Sequence, residues 1–277
     1  PALPSIAEIA YGKLGGKELG YASDLDLVFL YDEKEAGADG VHFPAQEVFS
    51  LLAKRMINWL TTHTAAGTLF EIDTRLRPNG SAGFLVTSLD SFRKYQFREG
   101  DNTAWVWEHQ ALTRARFAAG NLQVAPQFDA IRSDVLSQVR DVTALRSEIL
   151  SMRRKVHAGH PNPSTQFDLK HDAGGMVDIE FIVQFLILAY AHQHPALIGN
   201  LGNIALLGIA ANAGLIPTES AVAVADAYRL LREQQHRLRL DGAEKTRVDL
   251  SFHTYLQQAR TEVSALWGSI FQDTSNE

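Results

Sequence analysis

Cysteine is absent from the 277 residues, which removes disulfides, thiolate metal ligands and cysteine nucleophiles together. That absence fits a reducing, cytoplasmic setting. An excess of positive charge is also missing: 26 Lys and Arg stand against 32 Asp and Glu, for a net charge of −6. Proteins that grip nucleic acid along its backbone need a basic surface, because phosphate neutralisation dominates that affinity. No nucleic-acid partner is therefore expected. The longest apolar run, Phe181 to Tyr190, is too short to cross a bilayer and contains Gln184. No stretch has the pattern of a signal peptide, so a soluble protein without a membrane partner is expected. Repeats and low-complexity tracts are lacking, as are the phosphate-binding fingerprints GxxxxGK[ST] and GxGxxG. The chain starts on Pro1 rather than Met, which reads as a piece of a longer polypeptide.

What is present is ordinary globular composition, 45% hydrophobic and 21% charged, at a length that allows one large domain or two modest ones. The first third mixes strand and helix signals. Ile6 to Tyr11 is a short β-prone run that ends at the glycine-rich turn Gly12 to Gly16. Asp24 to Tyr31 reads as a strand, closed by a polar stretch from Asp32 to Gly40. Phe43 to Thr62 has helical spacing, with Val48, Leu51, Leu52, Ile57 and Leu60 on an apolar stripe. Thr68 to Arg77 reads as a second strand, stopped by Pro78-Asn79-Gly80, and residues 103–117 read as helix. Beyond about residue 125 strand signals almost vanish, and six helical segments follow. The expected architecture is α+β: a mixed sheet with helices over residues 1–125, then an all-α helical bundle over 126–277.

Three features carry chemistry. In Asp24-Leu25-Asp26, alternate strand residues share a face, so the two carboxylates point the same way from Cα atoms roughly 7 Å apart. Paired oxygen donors of that kind suit a hard cation such as Mg²⁺. An isolated Asp-x-Asp is a weak signal and is more often a pair of surface acids at a strand start. Here, however, Leu25 to Leu30 holds no polar residue besides Asp26, which marks a central strand buried on both faces. Carboxylates at its mouth would be costly without cations or partners. Asp73 is the second feature. Strand alternation places it with Glu71, Arg75 and Arg77 on the face opposite Phe70, Ile72 and Leu76. It could complete a two-metal site that binds a polyphosphate, or it could simply pair with its own arginines. The third feature is the turn through Gly15 and Gly16, with Ser23 just ahead of the first Asp, where glycines would let backbone approach phosphate closely.

A glycine pair, an Asp-x-Asp at a strand start and a lone Asp on a later strand together resemble the DNA polymerase β-type nucleotidyltransferase superfamily. The likeness goes closer. Tyr11 to Asp26 (YGKLGGKELGYASDLD), Phe70 to Pro78 (FEIDTRLRP), Trp107 to Leu112 with Arg114 and Arg116, and Gly174 to Phe181 (GGMVDIEF) resemble blocks of the glutamine synthetase adenylyltransferase family. That resemblance implies a polymerase β-like fold followed by a helical bundle, and a Mg²⁺-dependent transfer of AMP from ATP to a tyrosine of glutamine synthetase. It implies that Asp24 and Asp26 bind both metal ions, that Asp73 joins them at one, and that Gly15, Gly16 and Ser23 cradle the triphosphate. Arg75 and Arg77 are further candidates for nucleotide contact, from their shared face with Asp73. Family members carry an AMP-attaching and an AMP-removing copy of this domain. The stretch Gly20 to Asp26 is more similar to the attaching, C-terminal one. The signal protein PII and glutamine are the regulators implied. The removing activity, transfer of UMP, and a non-catalytic module that senses PII or glutamine remain alternatives.

Other features have plainer explanations. His192 and His194 fall at a predicted helix end, where histidine suits the dipole. Trp105 and Trp107 are expected in the core rather than stacked on a base. Gly174-Gly175 ahead of Asp178 and Glu180 reads as a helix start, and the charges from Arg146 to Lys155 as a solvated helix face. For Arg114 and Arg116, phosphate contact and a structural ion pair stand level.

Overall fold

The computed structural model describes residues 5–21, 23–33 and 44–272. Ala22, most of the polar stretch after the first acidic strand, and the helix start expected at Phe43 lie outside the described residues. The chain forms two compact units, Pro1–Leu136 and Ser137–Glu277.

The first unit is built on a mixed sheet. Strand β2 (Leu25–Tyr31) pairs antiparallel with β1 (Ile6–Ala10), which pairs antiparallel with β5 (Arg116–Gly120). On its other edge β2 runs parallel to β3 (Ile72–Asp73) and, further along, to β4 (Val86–Ser88). Every residue of β2 except Asp26 is buried, as an apolar run covered on both faces requires. One face packs against helix α2 (Ala45–Thr61) through Phe49 and Ala53, with Leu52, Met56 and Ile57 beside them. The buried stripe therefore runs through 49, 52, 53, 56 and 57, and Val48 and Leu51 face solvent. Stacking of Phe49 on Tyr31, centroids 5.1 Å apart, fixes that rotation of the helix.

Three local expectations change. The second acidic strand is only two residues long, and the chain turns from Arg75 onward, so strand alternation does not govern Arg75 and Arg77. The helix expected over 103–117 is α4 (Val106–Leu112), after which the chain enters β5. Trp105 is 68% exposed rather than core. The Trp105 backbone N–H donates to Glu108 Oε2 at 2.8 Å, and Glu108 also accepts from the Tyr95 hydroxyl at 2.8 Å, so this acid is a buried helix cap. Burial, with the Glu108 carboxylate alongside, pushes the Tyr95 hydroxyl up to about 12.

Helix α5 (Val124–Leu136) belongs to the first compact unit. Phe128 packs on Phe92 of helix α3 (Leu89–Gln96), and Arg132 donates to the carbonyls of Leu112 and Thr113. Both carbonyls lie at the end of α4, where the helix's own N–H groups run out; that of Leu112 also accepts from the Ala115 N–H at 3.1 Å.

The second unit comprises α6 (Val142–Gly159), α7 (Met176–Tyr190), α8 (Asn203–Asn212), α9 (Thr218–Leu240) and α10 (Thr254–Phe271). It is not purely helical: β6 (Phe167–Asp168) pairs with β7 (Arg247–Val248). Arg153 is buried rather than solvated. Its Nε lies 2.5 Å from Asp178 Oδ1, and Asp178 Oδ2 accepts from the Gly174 N–H at 2.7 Å. Gly174-Gly175 thus start α7, as expected.

Asp168 accepts from the backbone N–H groups of Lys170 and His171 and lies 3.4 Å from the His171 ring. Burial alone would raise its pKa. The His171 contacts and the two amides outweigh that and hold it well below the usual carboxylate range. With the folded pKa below the unfolded one, its stabilisation is present above the ordinary carboxylate value and is lost as pH falls. Urea midpoints measured across pH should therefore show Asp168→Asn weakening the fold near neutrality and flattening the acid loss between about pH 5 and pH 2.

Candidate active site

Asp24 and Asp26 sit at the mouth of β2, and the parallel register sets Asp26 directly beside Asp73 of β3. One carboxylate oxygen from each of Asp24, Asp26 and Asp73 lies within 4.8 Å of the others. Asp24 is exposed and the other two are half-buried, so the cluster opens to solvent on one side. Three anions held that close repel unless a cation joins them. An octahedral Mg²⁺ sets its ligand oxygens about 3–4 Å apart, a spread that modest side-chain rotation reaches from here. The donor set is all oxygen, which suits a hard divalent ion.

Arg75 supplies the nearest positive charge. Its backbone N–H donates to Asp73 Oδ1 at 2.8 Å, and its guanidinium bonds both carboxylate oxygens. Hydrogen bonds from Arg75, followed by its charge and that of Arg77, outweigh partial burial and lower the Asp73 pKa. Asp24 and Asp26 also act on Arg75, whose side chain is 78% exposed. An exposed guanidinium beside the three carboxylates is well placed to meet a polyphosphate. Arg77 is turned elsewhere. It donates to the carbonyls of Thr74, Ser81 and Gly83 and so ties the loop after β3.

The glycine turn is a single helical turn, α1 (Gly12–Gly15). The N–H groups of Gly15 and Gly16 donate to Tyr11 O and Gly12 O, so what these glycines supply is room rather than free donors. A Cβ on Gly15 would lie 2.4 Å from the Arg114 carbonyl, and one on Gly16 would lie 2.7 Å from Arg114 Nε. The Ser23 hydroxyl accepts from the Gly20 N–H at 3.1 Å and braces the loop that leads to Asp24.

Gly12 is the site residue that pattern reading passes over. Its φ is +52°, and a Cβ there would fall 2.0 Å from Asp26 Oδ2. The Asp26 carboxylate thus fills the space a side chain would take. Nothing local distinguishes Gly12 from the two glycines that follow. Arg114 resolves as an ion-pair residue, bonded to buried Glu18, and Arg116 donates to Leu14 O at 3.1 Å.

Residues 2–131 match the sequence family described as glutamate-ammonia ligase adenylyltransferase, and residues 143–273 match the family described as GlnD PII-uridylyltransferase. Among curated proteins, the bifunctional glutamine synthetase adenylyltransferase/adenylyl-removing enzyme of Burkholderia mallei is 58% identical over 270 residues, 97% of this chain and 28% of that protein. The proteins of the same name from Aromatoleum aromaticum and Nitrosomonas europaea are 55% and 49% identical, each over 97% of this chain. The chain spans under a third of the length of these relatives, 27% and 29% of the last two.

Proposed function

This chain belongs to the glutamate-ammonia ligase adenylyltransferase family through residues 2–131, and on that premise we propose that it attaches AMP from ATP to a tyrosine of glutamine synthetase. The observation that carries the reading is the meeting of Asp24, Asp26 and Asp73 within 4.8 Å, on strands that the sequence separates widely. Those three acids would hold Mg²⁺, which when bound would supply activation of the attacking oxygen and offset charge on the leaving pyrophosphate. A tyrosine hydroxyl has a pKa of about 10, so near pH 7 the phenolate is short by roughly 4 kcal/mol. Asp73, held ionised by Arg75, takes up the phenol proton. Arg75, exposed beside Asp73, is placed to contact the phosphates as well. Gly15, Gly16 and Ser23 shape the wall against which the triphosphate lies, and Arg77 supports that wall by fixing the loop beyond β3.

The relatives' names join an attaching and a removing activity. The likeness of Gly20 to Asp26 to the attaching copy favours attachment here. PII and glutamine are regulators of the whole enzyme in this reading, and the setting is cytoplasmic. None of the helices among the described residues is long and apolar enough to cross a membrane.

Incubation of the chain with unmodified glutamine synthetase, α-labelled ATP and Mg²⁺ tests this. Label is expected on the protein, with pyrophosphate released. Labelling from UTP in place of ATP, or removal of AMP by phosphate without any attachment, would sink the proposal.

A further inference from the structure

The metal reading above is the footing for this inference. A four-residue helix has no stability of its own, yet α1 is fixed at both ends. At its far end Lys17 N–H donates to Leu14 O and Glu18 N–H to Lys13 O, a Schellman closure in which Lys17 takes φ +58° where glycine is usual. Glu18, 8% exposed, pairs there with Arg114, whose side chain is 11% exposed. The Arg114 guanidinium lies where a Cβ on Gly16 would be, and the Arg114 carbonyl lies against Gly15. Arg116 adds a hydrogen bond to Leu14 O. At the near end, Gly12 backs onto the Asp26 carboxylate, and Tyr11 N–H donates to Asp26 O at 2.9 Å. The helix is a wedge between a buried ion pair and a carboxylate of the acidic cluster.

We propose that Glu18 and Arg114 are positioning residues for the metal site: their ion pair seats α1 so that Gly12 holds the Asp26 carboxylate towards Asp24 and Asp73. Neither residue touches the reacting atoms. A pair that served only to stabilise the fold would change melting and leave metal affinity alone.

The test is Mn²⁺ binding to the whole chain, followed by the loss of free Mn²⁺ electron paramagnetic signal, with melting recorded alongside. Arg114→Lys keeps the charge opposite Glu18 but lacks the flat group that lies against Gly16. It is expected to melt near the parent and to bind Mn²⁺ about tenfold or more weakly, the usual effect of losing a supporting contact behind a metal ligand. Gly12→Ala should show the same weakening from the other end of the wedge. Glu18→Gln takes the carboxylate from the buried Arg114 guanidinium and lowers melting as well. The double variant Glu18→Gln/Arg114→Met removes both charges and should recover melting without recovering Mn²⁺ affinity. Parent-like Mn²⁺ affinity in Arg114→Lys, or affinity that returns together with melting in the double variant, overturns the proposal while the metal site stands. A parent chain that binds no Mn²⁺, or binds it equally after Asp26→Asn, overturns the metal reading itself and this inference with it.

Discussion

Asp26→Asn is expected to lower the proposed AMP transfer from ATP by about a thousandfold or more while changing the melting temperature little. The rate effect follows from position. Asp26 lies in register with Asp73 on the adjacent strand, and its carboxylate is backed by Gly12. Losing its charge weakens the hold on divalent metal, whose contribution of several kcal/mol corresponds to about three powers of ten in rate. The stability effect is small, because the Arg75 guanidinium already bonds Asp73 and offsets part of the repulsion among the three carboxylates. Transfer of label to glutamine synthetase and a thermal melt without metal check the two halves. A parent-like rate would refute the assignment of the cluster. A large fall in melting would show that Asp26 serves the fold instead.

Asp178→Ala should have the largest effect on stability, about 3–5 kcal/mol. Asp178 is 4% exposed and holds two groups at once, the Arg153 guanidinium and the Gly174 N–H that precedes α7. Truncation leaves Arg153 as an uncompensated buried charge whose remaining partners are the carbonyls of His171 and Asp172. Replacing both residues with apolar ones of similar size, Arg153→Met with Asp178→Leu, should recover much of the loss, because the pair's own net contribution is small once desolvation is counted. Urea unfolding of the parent and the two variants checks this. Equal midpoints for Asp178→Ala and the parent would show that Arg153 finds another partner.

Much of this was legible from residues alone. The uninterrupted apolar run of β2 announced a strand covered on both faces, and its two acids had to emerge at the mouth. The helical periods of α6 to α10 were plain because each is long enough for its period to repeat. Legibility failed where elements are short or where a charge has a distant partner. The two-residue β3 cannot impose alternation on Arg75 and Arg77, and β5 follows α4 too closely for either period to develop. The charges from Arg146 to Lys155 looked like one solvated face, because nothing near Arg153 reveals that its counter-ion stands 25 positions away.

The sequence by itself held the motifs that resemble the family, the buried strand β2 and the long helical periods of the second unit, since each depends on local spacing or on motifs contiguous in the chain. Only the tertiary structure decided that Asp73 comes level with Asp26, that Arg114 reaches 96 positions back to Glu18, and that Gly12 stands behind a carboxylate. Strand register and the partner of a buried charge are properties of contacts between distant segments. The period of a single segment holds no information about them.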